Sequence, residues 1–199
     1  MEKQKIWTIP NIITFYRLLA FPVILFFILT KNEKLFAVFL IINLLSDAID
    51  GYIARKFKME TEFGARLDSI ADNLTYVLAF TGIFVFKLED LMPYIVSLSV
   101  YIGLLIITVA LSLVKFKRFP SLHLYTTKIN GYVQGIFMIC LFTVGLIPLI
   151  YYTVITLGII GAVESIVIQL IISEMRSNVK GLYWVIRERK KDFQAKTQL

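Results

Sequence analysis

Cysteine and histidine are almost absent from this sequence, which contains one of each. It also lacks internal repeats and low-complexity segments. A single thiol, Cys140, makes no disulfide framework, and its position inside an apolar stretch predicts a packing role. The first apolar stretch contains Arg17 and no small-residue cleavage site follows it, so we expect a mature helix there and not a signal peptide.

Apolar residues dominate what is present. They make up 58% of the 199 residues, a share that places the chain in the membrane class. A bilayer core of about 30 Å needs roughly 20 apolar residues per helix, and helices satisfy their own backbone hydrogen bonds in lipid. We therefore predict an all-α integral membrane protein with a single membrane domain over residues 1–199. Six stretches have this character, at residues 12–30, 34–54, 64–86, 92–114, 130–149 and 152–173.

Positive charge predicts the orientation of these spans. Lys and Arg number 21 against 14 Asp and Glu, and a cytoplasmic N-terminus collects most of the cations on one membrane face. Both termini and the loops at 55–63 and 115–129 are then cytoplasmic. Because the cations line one face, we expect lipid headgroups as their partner and no nucleic acid. Residues 1–10 are predicted to form an interfacial helix, and residues 176–199 a basic cytoplasmic tail.

Four aspartates interrupt the apolar pattern at the facing ends of the second and third stretches. Asp47 and Asp50 are three residues apart, and Asp68 and Asp72 are four apart, spacings that put each pair on one face of its helix. A short loop joins the two helices, so the four carboxylates are expected to face one another. Such a group repels itself and is costly to charge at membrane depth. Oxygen ligands suit Mg²⁺ or Mn²⁺, and four carboxylates are enough for two ions.

Small residues and an arginine accompany the aspartates. Gly51 and Ala54 lie beside the first pair, and Gly64 lies one turn before Asp68, so a bulky group is able to approach the backbone closely. Arg55 supplies a fork of donors that fits phosphate oxygens. Carboxylates, a metal, small residues and an arginine together predict a nucleotide-phosphate site.

The run from Asp47 to Asp72 resembles the signature of the CDP-alcohol phosphatidyltransferase family, D-x2-D-G-x2-A-R-x8-G-x3-D-x3-D, and fills all eight of its fixed positions. A chance match at eight positions is expected on the order of once in 10¹⁰ windows. PNIITFYR at residues 10–17 is similar to the family's N-terminal P-N-x-x-T-x-x-R element. The resemblance therefore covers most of the chain, and it is nearest to glycerophosphate- and cardiolipin-forming bacterial members.

The resemblance implies a phospholipid-synthesising transferase at the cytoplasmic membrane surface. An acceptor hydroxyl would attack the lipid-side phosphorus of CDP-diacylglycerol, and CMP would leave. Asp47, Asp50, Asp68 and Asp72 would be ligands of Mg²⁺ or Mn²⁺, with Asp72 also the general base. The contacts implied for the CDP portion are Asn11, Thr14, Gly51, Ala54, Arg55, Thr61 and Gly64. A homodimer is implied by the family resemblance alone.

Basic residues outside the signature bear on the acceptor. TTKINGYVQG at residues 126–135 resembles the K-x-x-T-x-x-Q region of glycerophosphate- and cardiolipin-forming members, with Gly131 in place of the threonine. Arg118, Lys128 and Arg176 suit a phosphate-bearing acceptor. The positive-inside rule alone also explains their placement, so both interpretations stay open.

Two residues depart from the pattern of many glycerophosphate-using members. Ser69 and Asn73 stand where those members carry proline and lysine, and a serine at the first position also occurs in serine- and inositol-type relatives. Our first prediction for the acceptor is sn-glycerol 3-phosphate. Phosphatidylglycerol, inositol or its phosphate, and serine remain as alternatives.

Other interpretations of the polar residues predict different features. Helix capping explains one or two aspartates near a helix end, but not four at paired spacing. A proton- or cation-coupled transporter would place its carboxylates near the bilayer midplane on broken helices. His123 lies in a loop without an obvious orienting partner, so direct displacement is favoured over a phosphohistidine. Glu164, in the sixth stretch, is expected to be protonated or hydrogen-bonded and to hold helices together.

Overall fold

A computed structural model describes residues 7–118, 122, 124–174 and 179–187. Every regular element within these residues is a helix, which confirms the all-α fold class. The helices are α1 (Ile9–Leu29), α2 (Glu33–Lys56), α3 (Glu62–Phe86), α4 (Leu88–Leu91), α5 (Ile95–Phe116), α6 (Tyr125–Thr143) and α7 (Pro148–Ile171), with a 3₁₀ turn at Met92–Tyr94. Residues 182–187 are also helical.

Five helical stretches in the described part of the chain are long and apolar enough to cross a membrane. They are Ile9–Leu29, Glu33–Lys56, Glu62–Phe86, Leu88–Phe116 and Pro148–Ile171. Many of their large side chains point outward: Leu19 and Leu29 are each 73% exposed and Val114 is 81% exposed. An apolar surface of this extent suits lipid better than water, as a multi-pass membrane protein requires.

Helix α6 differs from the stretch that we predicted at residues 130–149. It begins five residues earlier, at Tyr125, and ends at Thr143. The chain then breaks at Gly145, whose φ of 101° is a conformation that other residues adopt only with strain. Pro148 starts α7 at a position that suits proline. The first turns of α6 carry Thr, Lys and Asn, so this helix is not among the five apolar stretches.

The helices fall into two compact units, Met1–Met92 and Pro93–Leu199. In the first unit, α1 packs against both α2 and α3. Phe36 of α2 lies directly against Gly82 of α3, where a Cβ atom would overlap its ring. Phe36 and Leu40 are fully buried, as is Leu78. The contact of Phe36 with Gly82 joins α2 and α3 at the end of the unit that lies away from the aspartates.

The start of α1 bears on the predicted N-terminal helix. Trp7 and Thr8 are not helical, and Thr8 instead caps α1 by accepting a hydrogen bond from the Asn11 amide. Pro10 lies in the first turn of α1, as expected for proline. Most of the predicted interfacial segment, residues 1–6, lies outside the described residues.

In the second unit, α7 packs against both α5 and α6. Glu164 of α7 accepts a hydrogen bond from Thr126 Oγ1 on α6 at 2.6 Å. Its other carboxylate oxygen accepts one from the backbone amide of Leu182 at 2.8 Å. The expectation that Glu164 is hydrogen-bonded and holds helices together is thereby confirmed. His123 lies outside the described residues.

Candidate metal and phosphate site

The four aspartates come together in the first unit. Asp47 and Asp50 lie near the end of α2, and Asp68 and Asp72 lie near the start of α3. The linker of residues 57–61 turns the chain between these helix ends. Thr61 caps α3 by accepting a hydrogen bond from the Gly64 amide at 2.9 Å. The two aspartate pairs therefore converge in the structure, as predicted.

The guanidinium of Arg17, from α1, lies at the centre of this group. Its Nη1 is 2.7 Å from Asp47 Oδ1, 2.9 Å from Asp68 Oδ1 and 3.6 Å from Asp50 Oδ2. Its Nη2 donates to Asp72 Oδ1 at 2.6 Å. The Arg17 side chain is only 1% exposed, so one buried cation contacts all four carboxylates.

Burial divides the aspartates into two kinds. The Asp50 side chain is 4% exposed and accepts a hydrogen bond from Thr14 Oγ1 at 3.1 Å. Asp47, Asp68 and Asp72 are each more than two fifths exposed. One side of the group is therefore closed by α1, and the other is open to incoming ions or substrates.

Three of the aspartates fit a divalent cation. Asp47, Asp50 and Asp68 each offer one carboxylate oxygen, and these oxygens lie within 4.8 Å of one another. Oxygens on opposite sides of a Mg²⁺ ion lie about 4.2 Å apart, since each Mg–O distance is about 2.1 Å. Neighbouring oxygens around such an ion lie about 3 Å apart, so the three carboxylates would have to draw closer together to bind it. Oxygen-only ligands are also the set that hard divalent cations prefer.

A polar group beside the aspartates contains three of the residues predicted to contact CDP. Asn11 Nδ2 donates to Thr61 Oγ1 at 3.5 Å, which links the start of α1 to the start of α3. Gly64 lies against this pair, and a Cβ atom there would overlap Asn11 Oδ1. A larger residue at this position would therefore force the side chains of Asn11 and Thr61 to move.

The remaining predicted CDP contacts lie on α2 and α1. The Arg55 guanidinium folds back over Gly51, where a Cβ atom would lie 3.2 Å from Arg55 Nη1. Arg55 is otherwise exposed, and Ala54 is partly buried beside it. Thr14 lies one turn from Asn11 and bonds Asp50. All seven predicted contacts thus belong to the unit that carries the aspartates.

The predicted acceptor residues belong to the second unit or lie outside the described residues. Arg118 follows the end of α5, and its carbonyl accepts a hydrogen bond from Ser112 Oγ at 2.7 Å. Lys128 is exposed near the start of α6. Arg176 falls outside the described residues, so its place stays a prediction.

Arg17 is the site residue that the sequence reasoning missed. Its charge argues against a signal peptide in the first stretch, and it is also the last residue of the P-N-x-x-T-x-x-R element. A buried arginine inside an apolar helix is costly unless it is paired. That cost predicts an acidic partner for Arg17, and the four aspartates are the carboxylates that lacked a partner in the sequence.

Comparison with known proteins gives the same family as the motif. The family model for CDP-alcohol phosphatidyltransferase matches residues 7–173. This span includes every aspartate of the group, Arg17 and all seven helices in full, and it ends just after α7. No solved structure matches the chain significantly.

Several curated proteins are similar to this chain in sequence. The chain is 29% identical over 182 residues to the CDP-diacylglycerol–glycerol-3-phosphate 3-phosphatidyltransferase of Aquifex aeolicus, an alignment that covers 90% of this chain and 99% of the relative. An enzyme of the same name from Cereibacter sphaeroides is 42% identical over 77 residues, which are 37% of this chain and 35% of the relative. The cardiolipin synthase (CMP-forming) / mitochondrial hydrolase fusion protein of Schizosaccharomyces pombe is 34% identical over 125 residues, or 60% of this chain and 20% of that protein.

Together, the signature aspartates, their observed convergence and the match over residues 7–173 lead to one conclusion. The chain belongs to the CDP-alcohol phosphatidyltransferase family and is an enzyme of that class.

Proposed function

We propose that the protein transfers a phosphatidyl group from CDP-diacylglycerol to sn-glycerol 3-phosphate and releases CMP. The observation that carries this proposal is the Aquifex aeolicus relative named for that reaction, which aligns over 99% of its own length. Arg55 offers positive charge to a pyrophosphate-linked substrate, and the divalent cations that the carboxylates would hold supply the rest.

In the proposed reaction the acceptor hydroxyl attacks the lipid-side phosphorus. A new bond forms between the acceptor oxygen and phosphorus, and the bond from that phosphorus to the CMP oxygen breaks. The hydroxyl proton goes to Asp72, whose side chain is 41% exposed and borders the open side of the group. The electron pair of the broken bond stays on the leaving oxygen, which becomes a negatively charged phosphate oxygen of CMP.

Two ions of Mg²⁺ or Mn²⁺ are proposed to bind here. Their ligands would be Asp47, Asp50 and Asp68, with Asp72 as a further ligand. When bound, these ions neutralise the pyrophosphate and the departing phosphate. The protein's own residues orient the substrate. Asn11, Thr61 and Gly64 are proposed to receive the nucleotide at the meeting point of α1 and α3. The second set, on α2 and α1, comprises Thr14, Gly51, Ala54 and Arg55, with the Arg55 guanidinium binding phosphate oxygens.

The site is proposed to lie at the cytoplasmic face of a six-span domain over residues 1–199. Both termini are cytoplasmic, residues 1–10 lie on the membrane surface, and α6 is the additional span. The asymmetry of Lys and Arg along the chain supports this arrangement. Arg118, Lys128 and Arg176 are proposed to bind the phosphate of the acceptor. The enzyme is proposed to act as a homodimer.

Phosphatidylglycerol is the second candidate acceptor. It is favoured by the Schizosaccharomyces pombe relative, whose name includes cardiolipin synthase (CMP-forming) and which aligns over 60% of this chain. Ser69 and Asn73 keep inositol, its phosphate and serine as further alternatives. The chemistry at phosphorus is the same for each of these acceptors.

The test is to supply purified enzyme with labelled CDP-diacylglycerol and each acceptor in turn, with Mg²⁺, and to identify the lipid product by mass. We expect phosphatidylglycerol phosphate from sn-glycerol 3-phosphate and no product in excess EDTA. Cardiolipin from phosphatidylglycerol as the faster reaction would replace our first acceptor with the second. Full turnover in EDTA would refute the role of the divalent cation.

A further inference from the structure

Arg17 lies where a divalent cation would compete for ligands. Its Nη1 lies 2.7 to 3.6 Å from one oxygen of Asp47, Asp50 and Asp68, the three residues that would bind an ion. A guanidinium hydrogen bond and a metal ligand bond both use carboxylate lone pairs. The same three carboxylates are therefore able to bind either the Arg17 guanidinium or the divalent cation.

Charge balance explains why a cation belongs at this position. Four ionised carboxylates without any cation would repel one another, and Asp50 is buried besides. Arg17 neutralises one of these charges, and its own burial, at 1% exposed, makes it depend on the same carboxylates. Among the described residues its Nε has no hydrogen-bond partner, so the carboxylates are what compensates this buried cation.

We propose that Arg17 is the resident counter-cation of the four aspartates: it holds them together when no divalent ion is bound, and it competes with that ion for their oxygens. Arg17 is in this sense a positioning residue. The inference rests on the proposed function in one respect, namely that the aspartates bind a divalent cation.

Removal of Arg17 has two opposite consequences under this proposal. In Arg17→Met, the metal-free protein loses the cation that offsets carboxylate repulsion, so it should unfold at a lower temperature than the wild type in EDTA. The variant should also bind Mn²⁺ more tightly, by about tenfold or more in Kd, because the Arg17 guanidinium no longer competes for the carboxylate oxygens or repels the ion. A purely structural role for Arg17 would predict weaker or unchanged metal binding.

The experiment uses full-length protein in detergent. Mn²⁺ binding is measured by the loss of the free-ion paramagnetic resonance signal, and unfolding by tryptophan fluorescence in EDTA and in saturating Mn²⁺. Arg66→Met is the matched control, since Arg66 is an exposed arginine on α3 close to Asp68 in sequence. The control should change Kd much less than Arg17→Met, and saturating Mn²⁺ should close the stability gap between Arg17→Met and the wild type.

Each result decides the proposal. A folded Arg17→Met protein that binds Mn²⁺ no more tightly than the wild type would overturn it, while leaving the proposed function intact. Failure of the wild type itself to bind Mn²⁺ would instead remove the metal from the proposed function, and this inference with it. If Arg17→Met does not fold, Arg17→Lys is measured, which keeps the charge but loses the second arm of the fork. We expect an intermediate Kd for that variant, and a Kd weaker than wild type would overturn the proposal.

Discussion

Exchange of Asp72 for asparagine tests which carboxylate takes the acceptor proton. An amide oxygen still accepts the hydrogen bond that Arg17 Nη2 now donates to Asp72 Oδ1 at 2.6 Å, but an amide does not take up a proton. Loss of a general base costs about 10² to 10⁴ in rate, or roughly 3 to 5 kcal/mol. We therefore expect Asp72→Asn to lose turnover far more than it loses CDP binding.

Exchange of Asp50 for asparagine should have a different outcome. Asp50 is buried, contacts Thr14 and belongs to the group of three potential metal ligands. The variant loses a negative charge from the most enclosed ligand, so metal binding and CDP binding should weaken along with turnover. The two variants are therefore expected to differ in kind and not only in degree.

Calorimetry of CDP binding at saturating Mg²⁺, beside the turnover rate, measures this difference. Asp90→Asn is a matched control, since Asp90 lies outside the group, is 50% exposed and has Lys87 Nζ 3.8 Å away. If Asp72→Asn lost CDP binding as badly as Asp50→Asn, the assignment of the base would be wrong. Retention of more than about a tenth of wild-type turnover in Asp72→Asn would refute it as well.

Three further predictions concern other parts of the chain. Gly64→Ala places a Cβ atom against the Thr61 side chain that caps α3, at a cost of about 1 kcal/mol. This variant should raise KM for CDP-diacylglycerol more than it lowers kcat. An unchanged KM would count against the nucleotide contact. Glu164→Ala leaves the Leu182 amide without its hydrogen-bond acceptor, which costs about 1 to 3 kcal/mol. Hydrogen exchange at the Leu182 amide should therefore accelerate. Unchanged exchange would show that Glu164 does not hold this segment. In a background without the native cysteine, Lys87→Cys should react with an impermeant thiol reagent outside intact cells and Lys58→Cys should not; the reverse pattern would invert the proposed topology.

The convergence of the aspartates was predictable because it depends on local geometry. Spacings of three and four residues put Asp47 with Asp50 and Asp68 with Asp72 on shared helix faces, and a short linker leaves the two helix ends adjacent. The helical content was predictable for a similar reason, since long apolar stretches have few other structures in lipid. Prediction of these features does not require knowing which helices pack against each other.

Features that depend on contacts between distant residues were not predictable in the same way. Arg17 contacts Asp72 across 55 positions of sequence, and no periodicity connects them. Glu164 bonds the Leu182 amide across 18 positions, so a hydrogen bond was expected but its partner was not. The end of α6 was misplaced because its apolar pattern continues past Gly145, where the backbone conformation and not the hydropathy breaks the helix.

The position of α1 has a consequence for how this site is able to diverge. Because α1 packs on both α2 and α3 and contributes Arg17 between the aspartate pairs, the separation of the two pairs depends on the bulk of α1 side chains that face them. Thr14 and Ala20 are buried on this helix. Thr14 also contacts Asp50, so an exchange at this position would change where the first aspartate pair lies. Evolution or design is thereby given a way to change the spacing of the carboxylates from a helix that carries none of the four aspartates.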